Sequence, residues 1–429
     1  MLDAIEGAYD VAILGGGMAG CSAALAARRM GARVLLAERS GCLGGAATSS
    51  SVAQFVGWST RAGRVVIRGM AEDIVEGARQ IGAAGPLSHF VMSTGNVMDR
   101  VEYDPDLLKV TLDRLLMDAG IDVLFHASFV DAEQTGNRVR TMRVATPGGV
   151  VAIAADSFID ASGDMALLAG AGAQFIAEDG QARQPATMMF AMSPIDFARL
   201  DAVGQEEKQA IIQRGLEAGA LPRAALSYSR APGSNAAWFN ISRVVVDPTD
   251  PFSLSAGEME GRAQALQISS FLRSELPGCE RARLSQIAPS LGVRETRRVV
   301  GDHVLTADEL RRTNVFDDVI ACGAYPIDIH HPTDTRITFE EFGEDHFYRI
   351  PYRSLLPLGL ANVAAAGRGI SAEAAAFAAV RVMPSAMAIG HAAGVAAALA
   401  AKRHDGALRA VSVADLQAAL REQNAFLGN

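Results

Sequence analysis

Three clusters in the chain carry side chains able to do acid–base or ionic chemistry. The segment FDDVIACGAYPIDIHHP, at 316–332, ends in His330 and His331 with Asp328 close by. Imidazole titrates near neutral pH, so either histidine is a candidate base for a departing C–H or O–H proton. The competing reading makes both of them exposed or structural residues of a turn before Pro332. Arg294, Arg297 and Arg298 lie together in GVRETRRVV at 292–300, and Tyr348-Arg349 is followed by Tyr352-Arg353. A guanidinium presents a planar fork that grips a carboxylate at two points, which makes Arg294 or Arg353 a candidate anchor for a substrate acid. Ion pairs with Glu295, Asp302 or other carboxylates explain the same arginines equally well. The four cysteines, at 21, 42, 279 and 322, form no C-x-x-C pair, so no zinc site and no disulfide framework is expected.

Such groups need a frame, and the frame starts at residues 9–48. The apolar run Val11 to Leu14 stops at Gly15, and Gly15, Gly17 and Gly20 fall in G-x-G-x-x-G spacing where strand should become helix. Gly17 lets a pyrophosphate approach the backbone without meeting a Cβ, and Gly20 lets the helix lie close to the strand. Met18 and Ala19 open that helix, whose unpaired N–H groups would hold phosphate charge. Ala19, Ala23 and Ala26 give it a small packing face. Val34, Leu35 and Leu36 form the next strand, closed by Glu38 about 20 residues beyond the turn, where a carboxylate accepts hydrogen bonds from a ribose diol. Arg39 follows it, then Gly44, Gly45 and Thr48, a second close backbone approach. Cys42 invites a redox reading, but a disulfide mechanism needs two cysteines in one short segment. It reads better as a small packing residue.

Helical spacing is expected over residues 64–82 and 105–119, the second with Asp104 as N-cap before Pro105. Residues 121–125 and 129–132 read as strands, 138–145 and 150–154 as a hairpin, and 157–159 as a separate strand ending in Asp160, Ser162, Gly163 and Asp164. From 174 to 348 the βαβ pattern is lost, with a helix expected over 256–276. It resumes with a strand ending at Gly367 and Arg368, a long helix over 385–401 after Pro384, and a last helix over 413–422. The expected fold is α/β: a Rossmann-like nucleotide domain with a parallel sheet, from 1–173 and 349–429, interrupted by a sheet-rich α+β substrate domain at 174–348. Length supports two domains, since 429 residues exceed one small core. The net charge of −9 argues against a nucleic-acid or anionic-membrane surface. Residues 383–401 resemble a membrane span in length, but their alanine, glycine and His391 favour a buried helix. No secretory signal opens the sequence, and a cytoplasmic protein is expected.

With these motifs in place, the chain resembles the FAD-dependent oxidoreductases of the glutathione-reductase-like, two-dinucleotide-motif flavoprotein superfamily. The marks are GGGMAG with Glu38, LGGAATS, IDASGDMALLAGAG at 159–172, AAGRGIS, and VRVMPSAMAIGHAAGVAAA near the end. The resemblance implies FAD as cofactor. Gly15, Gly17, Met18, Ala19 and Gly20 would hold the pyrophosphate, Glu38 the ribose and Arg39 the adenosine side. Gly44, Gly45 and Thr48 would run toward the flavin, Val130 would touch the adenine, and Ser162, Gly163 and Asp164 would make a second nucleotide contact. Gly367 and Arg368 would face the ribityl chain and isoalloxazine, and the helix carrying Pro384 and Met387 would point its N-terminus at the flavin. The family pattern has histidines before the R-V-M-P segment, where this chain has only Glu373, so Glu373 joins the candidate bases. The implied activity is a dehydrogenase or oxidase moving a hydride between a small organic substrate and the flavin. Oxygen, a quinone or a protein carrier is the open choice of electron acceptor, and a homo-oligomer is left open. A tRNA-modifying flavoprotein and a non-catalytic flavin-binding protein are the alternatives.

Overall fold

The computed structural model describes residues 9–91, 96–177, 183–312, 315–335 and 337–428. It is a mixed α/β protein with one parallel-rich sheet and additional antiparallel sheets. The run at Val11 to Leu14 becomes the strand Tyr9–Leu14, almost wholly buried. Across the parallel part the order is Asp122–Leu124, Val34–Ala37, Tyr9–Leu14, Gly149–Asp160, with Val363–Ala365 on the far side of the last. The strands Val34–Ala37 and Val363–Ala365 are apolar and buried throughout, as strands covered on both faces are.

Gly149–Asp160 is a single 12-residue strand where the sequence suggested two. Its first half pairs antiparallel with Arg138–Thr146, and its second half runs parallel beside Tyr9–Leu14. The gap expected between 154 and 157 is absent, and Asp156 is an exposed position in an unbroken strand. Burial alternates before it and becomes continuous after it, as the chain passes from a half-covered layer into a fully covered one.

Pro105–Asp118 is helical as expected, and the Asp104 carboxylate accepts from the backbone N–H groups of Asp106 and Leu107. The helix expected from residue 64 begins only at Met70. Gly69 has φ +66°, outside helical space, and its N–H donates to Glu72. The helix expected from residue 256 starts earlier, at Pro251, because Asp250 caps it.

Apolar side chains gather in two cores. One belongs to the parallel sheet and its helices. The other gathers buried residues between Ala186 and Leu291, with Ala53, around the antiparallel strands Phe190–Ser193, Tyr228–Arg230, Ala237–Phe239 and Arg283–Ile287. From Val299 onward the buried chain rejoins the first core, well ahead of residue 349.

The helix Met18–Arg29 crosses the long helix Met383–Arg403 at very close range. A Cβ on Gly390 would lie 2.1 Å from the Ala19 carbonyl oxygen, and one on Gly394 would lie 2.2 Å from that of Ala23. The Ser22 hydroxyl donates to the Met387 carbonyl at 2.7 Å, locking the register of the pair. Met383–Arg403 is long and apolar enough to cross a membrane, and 89% of its apolar window is buried inside the protein. The crossing brings both helix N-termini to one place.

Candidate functional site

That place is a cavity of about 1020 Å³ between the two cores. This is at the upper end of the ~300–1,000 Å³ usual for small-molecule sites. One wall is the glycine turn. Gly15 has φ +101°, and Gly20 packs so closely on it that a Cβ there would lie 1.9 Å from the Gly15 oxygen. Gly17 faces open space: a Cβ on it would meet nothing nearer than Gly45 at 4.0 Å. No side chain caps the helix that begins at Met18, so its first N–H groups are free for an anion. Beside the turn, the buried Glu38 carboxylate accepts from the Gly16 N–H at 2.6 Å and from the backbone and hydroxyl of Ser40.

A second wall comes from the end of the strand Gly149–Asp160. The Asp160 carboxylate accepts from Ser162 and, with its other oxygen, from the Leu168 N–H, folding residues 161–164 into a bend beside the glycine turn. Burial holds the Asp160 pKa above the usual carboxylate range. Asp164 sits between Arg39 at 3.1 Å and Arg368 at 2.7 Å. Burial works to raise its pKa, but the two guanidiniums outweigh that and hold it below the ordinary value. Arg368 also donates to the carbonyls of Gly163 and Val293, joining the nucleotide wall to the second core. Val382, Met383 and Ala386 bring in the uncapped N-terminus of the long helix.

The far end of the cavity carries titratable groups. His330 ends the strand Ile327–His330, which pairs with Ile337–Glu340. Its Nε2 lies 3.3 Å from the buried Asp328 carboxylate, which also accepts from the Tyr325 hydroxyl at 3.0 Å and lies 3.4 Å from Arg381. Burial pushes His330 down to about 3, Arg294 adds to the fall, and the Asp328 carboxylate only partly opposes it. The ring is therefore neutral at physiological pH. For Asp328, burial raises the pKa, but the contacts with His330, Arg381 and Arg294 outweigh it and keep the group ionised.

Residues 10–420 match the model of a family described as FAD dependent oxidoreductase. The chain belongs to this family. No curated protein matches it. Among solved structures, this flavoprotein is similar to a geranylgeranyl bacteriochlorophyll reductase-like protein from Thermoplasma acidophilum, at 12% identity, covering 97% of this chain and 84% of that one, TM-score 0.49. It is also similar to p-nitrophenol 4-monooxygenase PnpA from Pseudomonas putida DLL-E4, at 12% identity over 94% of this chain and 79% of that one, TM-score 0.46. A triple mutant of the flavin-dependent brominase Bmp2 matches at 13% identity, 97% and 85% coverage, TM-score 0.46.

The residues present fit FAD. The open face of Gly17, the uncapped helix at Met18 and the carboxylate of Glu38 suit a pyrophosphate and a ribose, and the second uncapped helix N-terminus suits a ring that becomes anionic on reduction. Of the residues expected around the cofactor, Gly15, Gly17, Met18, Ala19, Glu38, Arg39, Gly44, Gly45, Ser162, Gly163, Asp164, Gly367 and Arg368 line the cavity. Gly20, Thr48, Pro384 and Met387 do not; they are packed behind its walls, with the Thr48 hydroxyl donating to the Leu43 carbonyl. Val130, on the strand Ser128–Thr135, is 47% exposed and stands outside the lining. The Cys42 thiol lies near the hydroxyls of Thr48 and Ser49 and is a free thiol.

The chemical candidates separate more sharply. His330 and Arg294 line the cavity. His331 does not: its Nε2 lies 2.8 Å from the Thr338 hydroxyl across the hairpin. Neighbours on an extended chain point to opposite sides, so only one of the pair can face the site. Arg353 is paired with Asp318 and Asp317, away from the cavity. The Glu373 carboxylate accepts from the Ala307 N–H at 2.6 Å, a structural link between helices. Sequence reasoning passed over Arg223, Tyr325 and Arg381. Only Arg381 left a signal, as a lone charge in an alanine-rich stretch.

Proposed function

We propose that this protein is an FAD-dependent dehydrogenase or oxidase acting on a small organic substrate, with His330 as the base. The observation that carries this reading is that the His330–Asp328 pair and the flavin cradle line the same cavity. Bound FAD supplies a hydride acceptor for a substrate C–H. His330 takes the proton leaving the neighbouring O–H or N–H. A ring that gives its Nε2–H to Asp328 keeps its lone pair on Nδ1, and the carboxylate then stabilises the imidazolium as it forms. Tyr325 and Arg381 hold Asp328 in place.

The test is anaerobic bleaching of the purified yellow protein by a panel of hydroxy acids, amino acids, sugars and polyols, followed by His330→Gln. The variant is expected to keep its FAD and to lose roughly 10²-fold or more in the rate of flavin reduction. Because the ring of the free protein stays neutral down to about pH 3, the second-order rate of reduction at low substrate should show no acid limb near pH 6.5. Unchanged reduction in a flavin-loaded His330→Gln protein would remove the assignment. Reoxidation rates with oxygen, a quinone or a protein carrier then separate oxidase from dehydrogenase.

A further inference from the structure

Among the described residues, four carboxylates line the cavity, and three are engaged away from its His330 end. Glu38 accepts from Gly16 and Ser40, Asp164 is held by Arg39 and Arg368, and Glu258 pairs with Arg262 at 3.1 Å. Among the described carboxylates of the cavity, that leaves Asp328 to balance three guanidiniums, those of Arg223, Arg294 and Arg381, on the same cavity wall.

Each of these arginines is anchored by part of its fork and keeps the rest free. Arg223, 8% exposed, donates from Nε to the Ile241 carbonyl at 3.0 Å and from Nη2 to Asn240 at 2.6 and 2.9 Å. Arg294 donates from Nη1 to the Pro185 carbonyl and the Thr187 hydroxyl. Arg381, its side chain 12% exposed, reaches Asp328 and Gln184 only through Nη2. Among the described residues, Arg223 Nη1, Arg294 Nη2 and Arg381 Nη1 meet no protein acceptor, and Arg381 Nε is buried without one. Arg381 Nε is thus an unmatched interior donor, unfavourable unless a ligand or water accepts from it, and the other three are open to the cavity.

The charges agree with the geometry. Burial pushes Arg294 down to about 9, with Arg381 and Arg223 adding to the fall, and burial pushes Arg223 down to about 10. An anion placed among the three would relieve both. We propose that Arg223, Arg294 and Arg381 form a carboxylate-binding subsite next to His330, so that the substrate is a small organic acid. Guanidinium N–H groups make strong charge-assisted bonds to carboxylate oxygens, and donors placed to meet an anion discriminate against a neutral analogue. The redox meaning of this subsite rests on the flavin-dependent reading above, but binding itself does not.

The experiment is calorimetric titration of the FAD-loaded protein with non-reducing probes: acetate and malonate against acetamide and malonamide, with sulfate as a non-planar anion. The acids are expected to bind at least tenfold more tightly than the amides, and malonate more tightly than sulfate. Arg294→Gln should weaken malonate at least tenfold while the flavin absorbance shows the cofactor retained. Equal binding of acids and amides, equal binding of sulfate and malonate, or unaltered malonate binding in flavin-loaded Arg294→Gln would each overturn the proposal. If Arg294→Gln does not fold, the wild-type acid-to-amide ratio still decides. A wild-type protein that binds malonate but holds no FAD would sink the flavin mechanism and leave the subsite standing.

Discussion

Gly390→Ala is the sharpest test of how the site is held. On helix propensity alone the substitution should stabilise a helix interior by about 1 kcal/mol. The crossing with Met18–Arg29 reverses the sign. The new Cβ would lie 2.1 Å from the Ala19 oxygen, 2.8 Å from its carbonyl carbon and 2.9 Å from its Cα, all backbone atoms that no rotamer change can move. To bring the closest contact to 3.0 Å the helices must part by about 0.9 Å. The 2.7 Å bond from Ser22 to Met387 then stretches to roughly 3.6 Å and is lost. Overpacking of this kind costs about 1–3 kcal/mol, and immovable neighbours put it at the upper end. The net expectation is a loss of about 2 kcal/mol, read by urea unfolding of the apoprotein. Because both helix N-termini open on the cavity, FAD affinity should also fall on the order of tenfold. Gly77→Ala is the control, since its Cβ meets only the movable end of Leu115 at 3.3 Å and should be neutral or stabilising. A Gly390→Ala protein as stable as wild type, with unchanged FAD affinity, would refute the account of the crossing.

Two further outcomes are expected. Arg353→Ala should leave FAD content and flavin reduction unchanged, because its guanidinium serves Asp318 and Asp317 rather than the cavity. It should lower stability by about 1 kcal/mol, since the buried Asp318 loses the guanidinium but keeps the backbone N–H of residue 353; slowed reduction at unchanged FAD content would return Arg353 to the site. His391, buried against Gln423, is pushed down to about 4 by burial, against a hydrogen bond that opposes the fall. The unfolded chain protonates first, so stability present above pH 6.5 is lost as pH falls toward 4, by up to about 1.4 kcal/mol per pH unit. His391→Gln should flatten that loss in urea midpoints measured at pH 7, 5.5 and 4.5, and an equally steep loss would assign it to other groups.

The nucleotide wall was readable because backbone geometry forces residue type. Gly17 must be bare, Gly20 must let a helix touch a strand, and Glu38 must stand at the end of the next strand, so spacing alone places them. The break expected between 154 and 157 is absent, because a charged side chain such as Asp156 looks the same in sequence whether it ends a strand or lies exposed within one. Arg353 and Glu373 misled for a related reason: charge announces a partner without saying whether that partner is protein or ligand. The chemical end was least legible. Arg223, Arg294, Tyr325, Asp328, His330 and Arg381 come from segments far apart in the chain, and only the packing of two cores brings them together.

The strand Gly149–Asp160 ties together distant parts of the chain. It pairs with the first strand of the chain on one side and with Val363–Ala365 on the other, and the long helix that follows must then seat against the first helix. The glycine turn and the cavity wall at Gly367, Arg368 and Met383 lie far apart in the chain. The site is therefore a product of long-range pairing, and neither half of it can be built by local contacts alone.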